Sequence, residues 1–348
     1  MAYTTIDDPT LYFNTKLYSG DGASTQAITG VNFRPDFVWI KSRNHTENHM
    51  LSDAVRGSTK RLRSDTTNAE DDLGSNGIQS FNTDGFTAGD GDAMNASGQT
   101  YASWNWLANG SGSSNTDGSI TSTVSANTTA GFSIVTWTAG SGVGSIGHGL
   151  GVAPSMIIVK GRSSAIGWVT GLKSNGWNNY LQLQSTNANT NDQRMFSPSG
   201  QSDPTSTVWY QDHAALGSSG DTMVGYVFAE KKGFSKFGSY VGNGSTSGTY
   251  VHLGFKPAFV MYKNTSQADD WFISDSKRLG YNPDNHYLRP SLSAAEGDPP
   301  DRINFFSNGF KLTTSDKGAN ASGDVYIYMA FAESPFVTGA SAIPTTAR

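Results

Sequence analysis

The 348 residues suffice for two or three domains of ordinary size, and the absence of cysteine excludes disulfides, thiolate metal sites and thiol nucleophiles. Only 36% of the residues are hydrophobic and 15% are charged, whereas 40 are glycine, a turn-rich composition that favours many short strands over long helices. The net charge of -5 without a basic run disfavours a nucleic-acid partner, and no apolar stretch is long enough to span a membrane.

The chain begins with a polar stretch, 1–11, which lacks a clear period and is interpreted as an N-terminal arm. Residues 11–18 alternate in hydropathy and predict a first strand, and 19–22 predicts a turn. The first copy of a repeated pattern follows at 33–41. Residues 84–106 then predict a hairpin whose return strand, from 101 onwards, alternates with a period of two.

The repeated pattern is nine residues long and occurs three times. It reads Phe-Arg-Pro-Asp-Phe-Val-Trp-Ile-Lys at 33–41, Val-Ala-Pro-Ser-Met-Ile-Ile-Val-Lys at 152–160 and Phe-Lys-Pro-Ala-Phe-Val-Met-Tyr-Lys at 255–263. Proline donates no backbone hydrogen bond and suits the first residue of a strand, and the apolar run after it is typical of a buried strand. We therefore expect Pro35, Pro154 and Pro257 to open central strands that bury Phe37, Ile157 and Phe259.

The other landmarks keep the same order around each copy, at intervals near the size of a small domain. We predict an all-β fold of three tandem antiparallel β-sandwich or jelly-roll-like repeat domains, at 12–109, 125–231 and 232–337. A stretch rich in Gly, Ser and Thr, 110–124, is predicted to be a linker, and 338–348 a C-terminal tail.

Two of the predicted hairpin loops carry oxygen-bearing side chains of the kind that calcium prefers. These are Asp90, Asp92 and Asn95 in the first copy, and Asp316 and Asn320 in the third. An EF-hand would need glycine at its sixth position and glutamate at its twelfth, and neither is present. The same residue types form ordinary turns. We expect turn chemistry here, keep the five residues as weak calcium candidates, and predict no metal or other cofactor.

Two further patterns suggest chemistry but have simpler explanations. His45 and His49 have a metal-ligand spacing for a helix, but their strand-like surroundings favour two surface histidines. Ser52-Asp53 recurs as Ser274-Asp275 and is absent from the second copy, which indicates a turn or cap. Without a Gly-x-Ser-x-Gly elbow or an acid–base constellation, we expect no catalytic activity.

Four tryptophans lie near the ends of predicted loops, at Trp168, Trp177, Trp209 and Trp271. Aromatic platforms stack on sugars and anchor protein interfaces, so these four are the candidates for glycan or partner contact. Core filling is the simpler interpretation and the one we favour.

Several motifs of the first copy occur together. They are Tyr-Ser-Gly-Asp-Gly at 18–22, the nine residues at 33–41, Met-Leu-Ser-Asp-Ala-Val-Arg-Gly at 50–57, Asp-Gly-Phe at 84–86 and Asn-Ala-Ser-Gly-Gln-Thr-Tyr-Ala-Ser-Trp-Asn-Trp at 95–106. This set resembles a repeat domain of virion structural proteins of tailed phages, notably phages of marine bacteria and cyanobacteria. Tyr-Ile-Tyr-Met-Ala-Phe-Ala-Glu-Ser-Pro-Phe at 326–336 is similar to the usual end of such chains. The resemblance covers about 12–337 and is diluted in the second copy.

The resemblance implies a non-enzymatic virion protein of a tail fibre, a tail appendage or the capsid surface, and it transfers no active-site residues. We expect synthesis in the host cytoplasm, without a signal peptide, followed by assembly into the particle. The expected partners are other virion proteins and further copies of the chain, a trimer included. The alternative function is a carbohydrate-binding adhesin that recognises host surface glycans. Neither nucleic-acid binding nor membrane insertion is expected.

Overall fold

Antiparallel β-strands make up most of the fold. The computed structural model describes residues 3–212, 216–279, 282, 286–297 and 302–338. Within these ranges the helical segments are α1 (Asp92–Asn95) and short 3-10 turns at Pro9–Leu11, Gly74–Asn76 and Lys173–Asn175. The prediction of an all-β, sandwich-like fold is confirmed. Aromatic and β-branched residues favour the pleated strands, and glycine permits the many tight turns between them.

The strands fall into three successive groups, which we call unit one, unit two and unit three. Unit one contains β1 (Phe13–Ser19), β2 (Thr25–Thr29), β3 (Phe37–Ser42), β4 (Met50–Asp53), β5 (Gly57–Leu62), β6 (Asp71–Asp72), β7 (Ile78–Asn82), β8 (Gly85–Gly89) and β9 (Thr100–Trp106). Unit two contains β10 (Ser113–Asn115), β11 (Ser122–Asn127), β12 (Phe132–Thr138), β13 (Val143–Gly147), β14 (Met156–Gly161), β15 (Val169–Leu172), β16 (Asn179–Tyr180), β17 (Thr190–Asn191), β18 (Val208–Asp212) and β19 (Thr222–Phe228). Unit three contains β20 (Ser235–Val241), β21 (Tyr250–His252), β22 (Phe255–Asn264), β23 (Trp271–Asp275), β24 (Ile303–Phe306), β25 (Gly309–Leu312) and β26 (Val325–Pro335).

One four-strand order recurs in the main sheet of every unit. It is β1-β9-β3-β4 in unit one, β12-β19-β14-β15 in unit two and β20-β26-β22-β23 in unit three. Units one and three each add a second sheet, β2-β8-β7 and β21-β25-β24, and unit two adds the smaller sheets β13-β18 and β16-β17. In each unit the strand that carries the repeated pattern lies in the middle of its sheet.

Each central strand is buried on both faces, and successive side chains face different cores. In β3, Phe37 and Trp39 belong to a cluster shared by all three units, whereas Val38 and Ile40 belong to a cluster within unit one. The alternation repeats in β14 and β22: Met156, Ile158, Phe259 and Met261 face the shared cluster, while Ile157, Val159, Val260 and Tyr262 face their own unit's cluster. The apolar runs lack a polar face because no face meets water.

The shared cluster, here called the central core, joins the units through aromatic contacts. Phe37 of unit one stacks on Tyr226 of unit two, with ring centroids 4.3 Å apart. Phe13 of unit one stacks on Phe331 of unit three at 4.9 Å, and Phe228 of unit two meets the same ring edge-on at 6.0 Å. Every unit therefore packs on both others. The division into separate domains at the predicted boundaries stays an interpretation, because one core crosses all of them.

The repeated prolines stand near the strands but open none of them. Pro35 and Pro154 lie two residues before β3 and β14, and Pro257 lies inside β22, where the pairing with β26 shifts register. A bulge tolerates proline because a ladder hydrogen bond is already missing there. Phe37, Ile157 and Phe259 are all buried, as predicted. Ile157, however, faces the core of unit two, and the residue equivalent to Phe37 is Met156.

The predicted linker, 110–124, requires correction. It contains β10 and the beginning of β11, which extend the main sheet of unit two beyond β12. Ile120 within it bridges to Ile146 and packs against the core of unit two. Ser and Thr fit an exposed strand as readily as a loop, so composition alone did not separate the two.

The predicted N-terminal arm also requires correction, because residues 3–11 pack against unit three. The Tyr3 hydroxyl donates to Gly254 O at 2.6 Å, and Thr4 Oγ1 donates to Lys232 O at 2.8 Å. Ile6 is buried in the central core. The buried Ile6 side chain and the two hydrogen bonds thus hold this polar segment in place. Of the predicted tail, 338–348, all but Thr338 lies outside the described residues.

Replacing Ile6 with Ala is expected to lower the free energy of unfolding by about 2–5 kcal/mol, because it leaves a cavity in the central core. Leu11→Ala in the same segment is the control, since Leu11 is 45% exposed and Ile6 only 2%. The control should shift stability by no more than about 0.5 kcal/mol. Urea unfolding followed by tryptophan fluorescence measures both. Equal, small effects would show that the segment does not contribute to the core.

Candidate functional site

The three units are joined by junctions that form a closed ring. Each junction is marked by one backbone hydrogen bond from a loop of one unit to the end of the next unit's central strand. Glu70 N–H donates to Arg162 O at 2.8 Å, Asn189 N–H to Thr265 O at 3.0 Å, and Glu296 N–H to Arg43 O at 2.7 Å. Unit one therefore contacts unit two, unit two contacts unit three, and unit three contacts unit one.

A ring nitrogen crosses each junction at an equivalent place. Trp168 Nε1 donates to Arg63 O at 2.7 Å, and Trp271 Nε1 donates to Gln182 O at 3.0 Å. In unit one the equivalent residue is His49, whose Nε2 lies 2.9 Å from Arg289 O. Indole and imidazole thus perform the same task, since each places one N–H against a carbonyl oxygen of the preceding unit.

The tautomer of His49 follows from its two neighbours. The indole Nε1 of Trp39 can only donate, and it lies 2.9 Å from His49 Nδ1, so Nδ1 accepts. The proton of the neutral ring is therefore on Nε2, facing Arg289 O. Burial lowers the pKa of His49 well below its ordinary value, and the nearby Lys41 charge lowers it further. His49 is buried while His45 is exposed, which corrects the interpretation of two surface histidines.

The lysines that end the repeated pattern are fully buried and lie at the same junctions: Lys41, Lys160 and Lys263. Each Nζ donates to the carbonyl of the residue after it, at 2.7–2.8 Å. Lys160 and Lys263 also donate to Thr67 O and Thr186 O of the preceding unit, at 3.2 and 3.3 Å. Burial lowers the pKa of each lysine to about 8.

Two junctions also contain a buried carboxylate–guanidinium network. At the junction of units one and two, Arg56 Nε lies 2.5 Å from Asp53 Oδ2, and Arg56 Nη1 lies 2.8 Å from Glu70 Oε2. Arg162 binds the same Glu70 in a bidentate manner, at 2.8 and 3.0 Å. Burial raises the pKa of Glu70, but the hydrogen bond from Arg162 and the charge of Arg56 outweigh it, so the pKa lies below its ordinary value.

The junction of units three and one repeats this network. Arg278 Nε lies 2.7 Å from Asp275 Oδ2, and its Nη1 lies 3.4 Å from Glu296 Oε2. Arg43 binds Glu296 at 3.0 and 3.1 Å. Asp53 and Asp275 do bond their local turns, but their other partners show that they belong to the junctions. The prediction of a turn or cap role captures only part of what they do.

A neighbouring unit supplies one more donor to each aspartate. Tyr226 Oη donates to Asp53 Oδ2 at 2.8 Å, and Trp104 Nε1 donates to Asp275 Oδ2 at 3.1 Å. Leu172 stands at the equivalent position of unit two, because it pairs with Met156 as Asp53 pairs with Phe37. The carboxylate is absent from unit two because that position is apolar and belongs to the central core.

The calcium candidates Asn95 and Asn320 are buried and hold two loops together. Asn95 Oδ1 accepts from Asp21 N at 3.0 Å, and its Nδ2 donates to Ala23 O at 3.0 Å. Asn320 Oδ1 accepts from Asn243 N at 3.0 Å in the same way. These amide oxygens are therefore already bonded to backbone N–H groups.

The remaining calcium candidates, Asp90, Asp92 and Asp316, are exposed. Asp316 Oδ1 accepts from Gly318 N at 2.8 Å, which is turn chemistry. Among the residues that the structure describes, no group of three or more His, Cys, Asp or Glu side chains is placed to hold a metal ion. In the same ranges no helix has the length and apolar character needed to cross a membrane.

The four candidate tryptophans are all buried, in agreement with the favoured interpretation of core filling, and none of them forms an exposed platform for a glycan or a partner. Trp168 and Trp271 cross junctions as described above. Trp177 packs against Phe196 with ring centroids 5.9 Å apart, and Trp209 packs edge-on against Trp137 at 5.4 Å. Both pairs lie in unit two's own cluster. The four residues fill cores, because their bulk replaces the aliphatic side chains that the composition lacks.

Sequence reasoning missed Glu70, Arg162 and Glu296, which complete the junction networks. One signal was available: an arginine stands two residues after the repeated lysine in the first two copies, at Arg43 and Arg162. Its acidic partners lie in irregular loops, where no period marks them. The arginines and their acidic partners come together only where two units meet in the folded structure.

Comparison with known families matches residues 8–335 to the domain of unknown function DUF7483. The chain belongs to this family. The match spans all three units, so the DUF7483 domain corresponds to the whole ring and not to one repeat. No curated protein matches the chain.

Replacing Asp275 with Asn is expected to lower the free energy of unfolding by about 3–5 kcal/mol, because the buried Arg278 guanidinium loses the nearer of its two carboxylates and keeps only the longer contact with Glu296. The double variant Asp275→Leu/Arg278→Leu should recover much of that loss, since an apolar pair can replace a buried ion pair. Asp192→Asn, which removes the surface contact with Arg194, serves as the control and should have a far smaller effect. Chemical denaturation of the four proteins measures this. Single and double variants of equal stability would contradict the network.

The three buried lysines predict stability that rises with pH above about 8. Their unfolded forms keep the proton to about pH 10.4, whereas the folded forms release it from about pH 8, so in this window the unfolded state binds more protons. Lys263→Met should reduce the rise between about pH 7.5 and about pH 9.5, by up to about 1.4 kcal/mol per pH unit. Lys173→Met, at an exposed site, should keep the wild-type slope. Identical slopes in all three proteins would refute the assignment.

Proposed function

We propose that this chain is a non-enzymatic structural protein of a tailed-phage virion, part of a tail fibre, a tail appendage or the capsid surface. The observation that carries the proposal is the closed ring of junctions, which joins the three units around one central core. Such a body presents extended surfaces at fixed distances, and a particle component needs this in order to contact several neighbours.

The use of charged groups supports a scaffold. The carboxylates of Asp53 and Asp275 are fully buried and those of Glu70 and Glu296 are 11% exposed, and all four bind arginines at junctions. Their charges stabilise the contact between units, and the interior they occupy is filled by side chains from neighbouring units. We therefore assign the function to the outer surfaces of the body.

The location follows from the motif resemblance, which points to particles of tailed phages. Synthesis in the host cytoplasm suits a chain without cysteine, because such a chain needs no oxidising compartment to fold. Other virion proteins are the proposed partners, together with further copies of the chain. In the adhesin alternative, host glycans would bind somewhere other than the four buried tryptophans.

Gold-labelled antibody against the chain, applied to purified particles of the phage that encodes it, tests the proposal. We expect label on the tail or on the capsid surface in electron micrographs. Particles without label, from infected cells in which the chain accumulates, would contradict it.

Two variants test whether the junctions between units are needed for incorporation into particles. Leu11→Ala should enter particles as the wild type does, because the exposed Leu11 side chain does not contribute to the core. Asp275→Asn should enter in reduced amounts, because the weakened junction raises the unfolded fraction. Complete particles that lack the chain and no longer attach to host cells would support the adhesin function.

A further inference from the structure

The recurring four-strand order begins with β1, β12 or β20, and each of these strands pairs on one side with the second strand of the order. The units differ in what lies along the other side. In unit two, β11 pairs antiparallel with β12 from Phe132 to Trp137. In the part of the chain that the structure describes, β1 and β20 pair on one side only, with β9 and β26. Unit two thus shows, within the same molecule, how the edge of an equivalent strand is completed.

The register of β1 decides which backbone groups face the open edge. Leu107 N–H donates to Tyr12 O, so the pair of Tyr12 and Leu107 is hydrogen-bonded. In an antiparallel ladder such pairs alternate along the strand, which places the other even-numbered residues of β1 in bonded pairs with β9. The N–H and C=O groups of the odd-numbered Thr15 and Leu17 therefore point away from β9 into the open edge.

The same argument identifies the covered groups of unit two. Phe13 lies opposite Trp106 as Phe132 lies opposite Phe228, so Thr15 of β1 corresponds to Ile134 of β12. Ile134 lies opposite Ser125 of β11. Each outward-facing residue of β1 thus has a counterpart in β12 that already faces another strand.

An open groove of about 440 Å³ lies beside β1. It is lined by Thr10, Asn14, Thr15, Lys16, Leu17, Gly30, Asn32 and Lys277. Its walls come from two units, because Lys277 belongs to the turn after β23 of unit three. Thr15 is 96% buried, and its Oγ1 has no hydrogen-bond partner within the described residues.

Two lysines and no carboxylate line the groove, at Lys16 and Lys277. Two aspartates contact the lining residues from outside this set: Asp84 accepts from Gly30 N at 2.9 Å and Asn32 N at 2.6 Å, and Asp8 accepts from Thr10 N at 3.0 Å. Apart from Leu17 and Gly30, the other lining residues carry hydroxyl or amide side chains. An occupant with carboxylate and small hydroxyl side chains complements this lining.

We propose that the open edge of β1 receives an extended, acidic and hydroxyl-rich segment of a partner protein. The segment adds antiparallel to β1, as β11 adds to β12, and its backbone bonds the outward groups of Thr15 and Leu17. Two copies that paired through this edge would bring the same lysine-lined surface together twice, and the repulsion between like charges disfavours that pairing. The proposal does not depend on where the protein acts.

A synthetic peptide, Asp-Asp-Ser-Thr-Val-Ser-Ala-Asn-Asp-Asp, tests this proposal on the full chain. It carries the sequence of β11 between acidic ends. We expect saturable binding in calorimetry, and amide hydrogen exchange at Thr15 and Leu17 slowed at least about tenfold by NMR. The same peptide with lysine at all four aspartates should bind at least about tenfold more weakly. Absence of binding, or unchanged exchange at both amides, would overturn the proposal.

A proline substitution tests the role of the open edge of β1 without removing the hydrogen bonds between β1 and β9. Leu17→Pro removes one outward donor and leaves the β9 ladder intact, since proline is tolerated where the edge N–H faces solvent. Ser239→Pro is the control at the corresponding outward position of β20, where Gly242 N–H donates to Asp324 O and sets the same alternation.

Leu17→Pro should lose peptide affinity at least about tenfold while staying folded at the temperature of the assay, although the lost packing of Leu17 against the central core lowers its unfolding midpoint. Ser239→Pro should bind as the wild type does. Equal binding by all three proteins would place the peptide elsewhere and overturn the proposal. If Leu17→Pro does not fold, the exchange rates of Thr15 and Leu17 in the wild-type protein decide the question.

Discussion

The burial of both faces of the central strands is the constraint on which the rest of this structure depends. A sheet in an ordinary sandwich buries one face and exposes the other. Here β3, β14 and β22 present one face to their own unit and the other to a core shared by three units. Any polar group that enters the shared region loses water and needs a partner within the protein. The junctions supply those partners.

The three junctions satisfy the same requirement with different residues. An indole N–H from Trp168 or Trp271 and an imidazole N–H from His49 all reach a carbonyl oxygen of the preceding unit. Where a buried aspartate occurs, a neighbouring tyrosine or tryptophan donates to it. Unit two carries Leu172 at that place, and the position equivalent to Tyr226 in unit three is Met329. A junction thus has either a buried aspartate with a donor from the neighbouring unit or two apolar residues at the same positions, because an aspartate without its donor would be a buried charge that lacks a partner.

The sequence was sufficient to predict the central strands, but not the strands β10 and β11 or how the units share a core. The apolar run at 33–41 indicated a buried strand, and its recurrence indicated three similar sheets, because both signals are local. Burial against a second sheet and burial against another unit produce the same apolar pattern, so the central core could not be foreseen. The loops that hold Glu70 and Glu296 have no periodicity, and their arginine partners are far away along the chain. Ile6 and Leu11 are both aliphatic residues of a short polar segment, and no periodicity in the sequence showed that Ile6 is buried while Leu11 is exposed.

The packing of Phe13 against Phe331 has a consequence for how the chain folds during synthesis. Unit one leaves the ribosome with its aromatic face complete but without the surface of unit three that covers it. At about 5–20 residues per second, that face stays exposed for on the order of tens of seconds, a target for chaperones and for premature association. Contacts between residues so distant in sequence also slow the final closure. The nascent protein therefore commits to its finished shape only when β26 has been made and inserted.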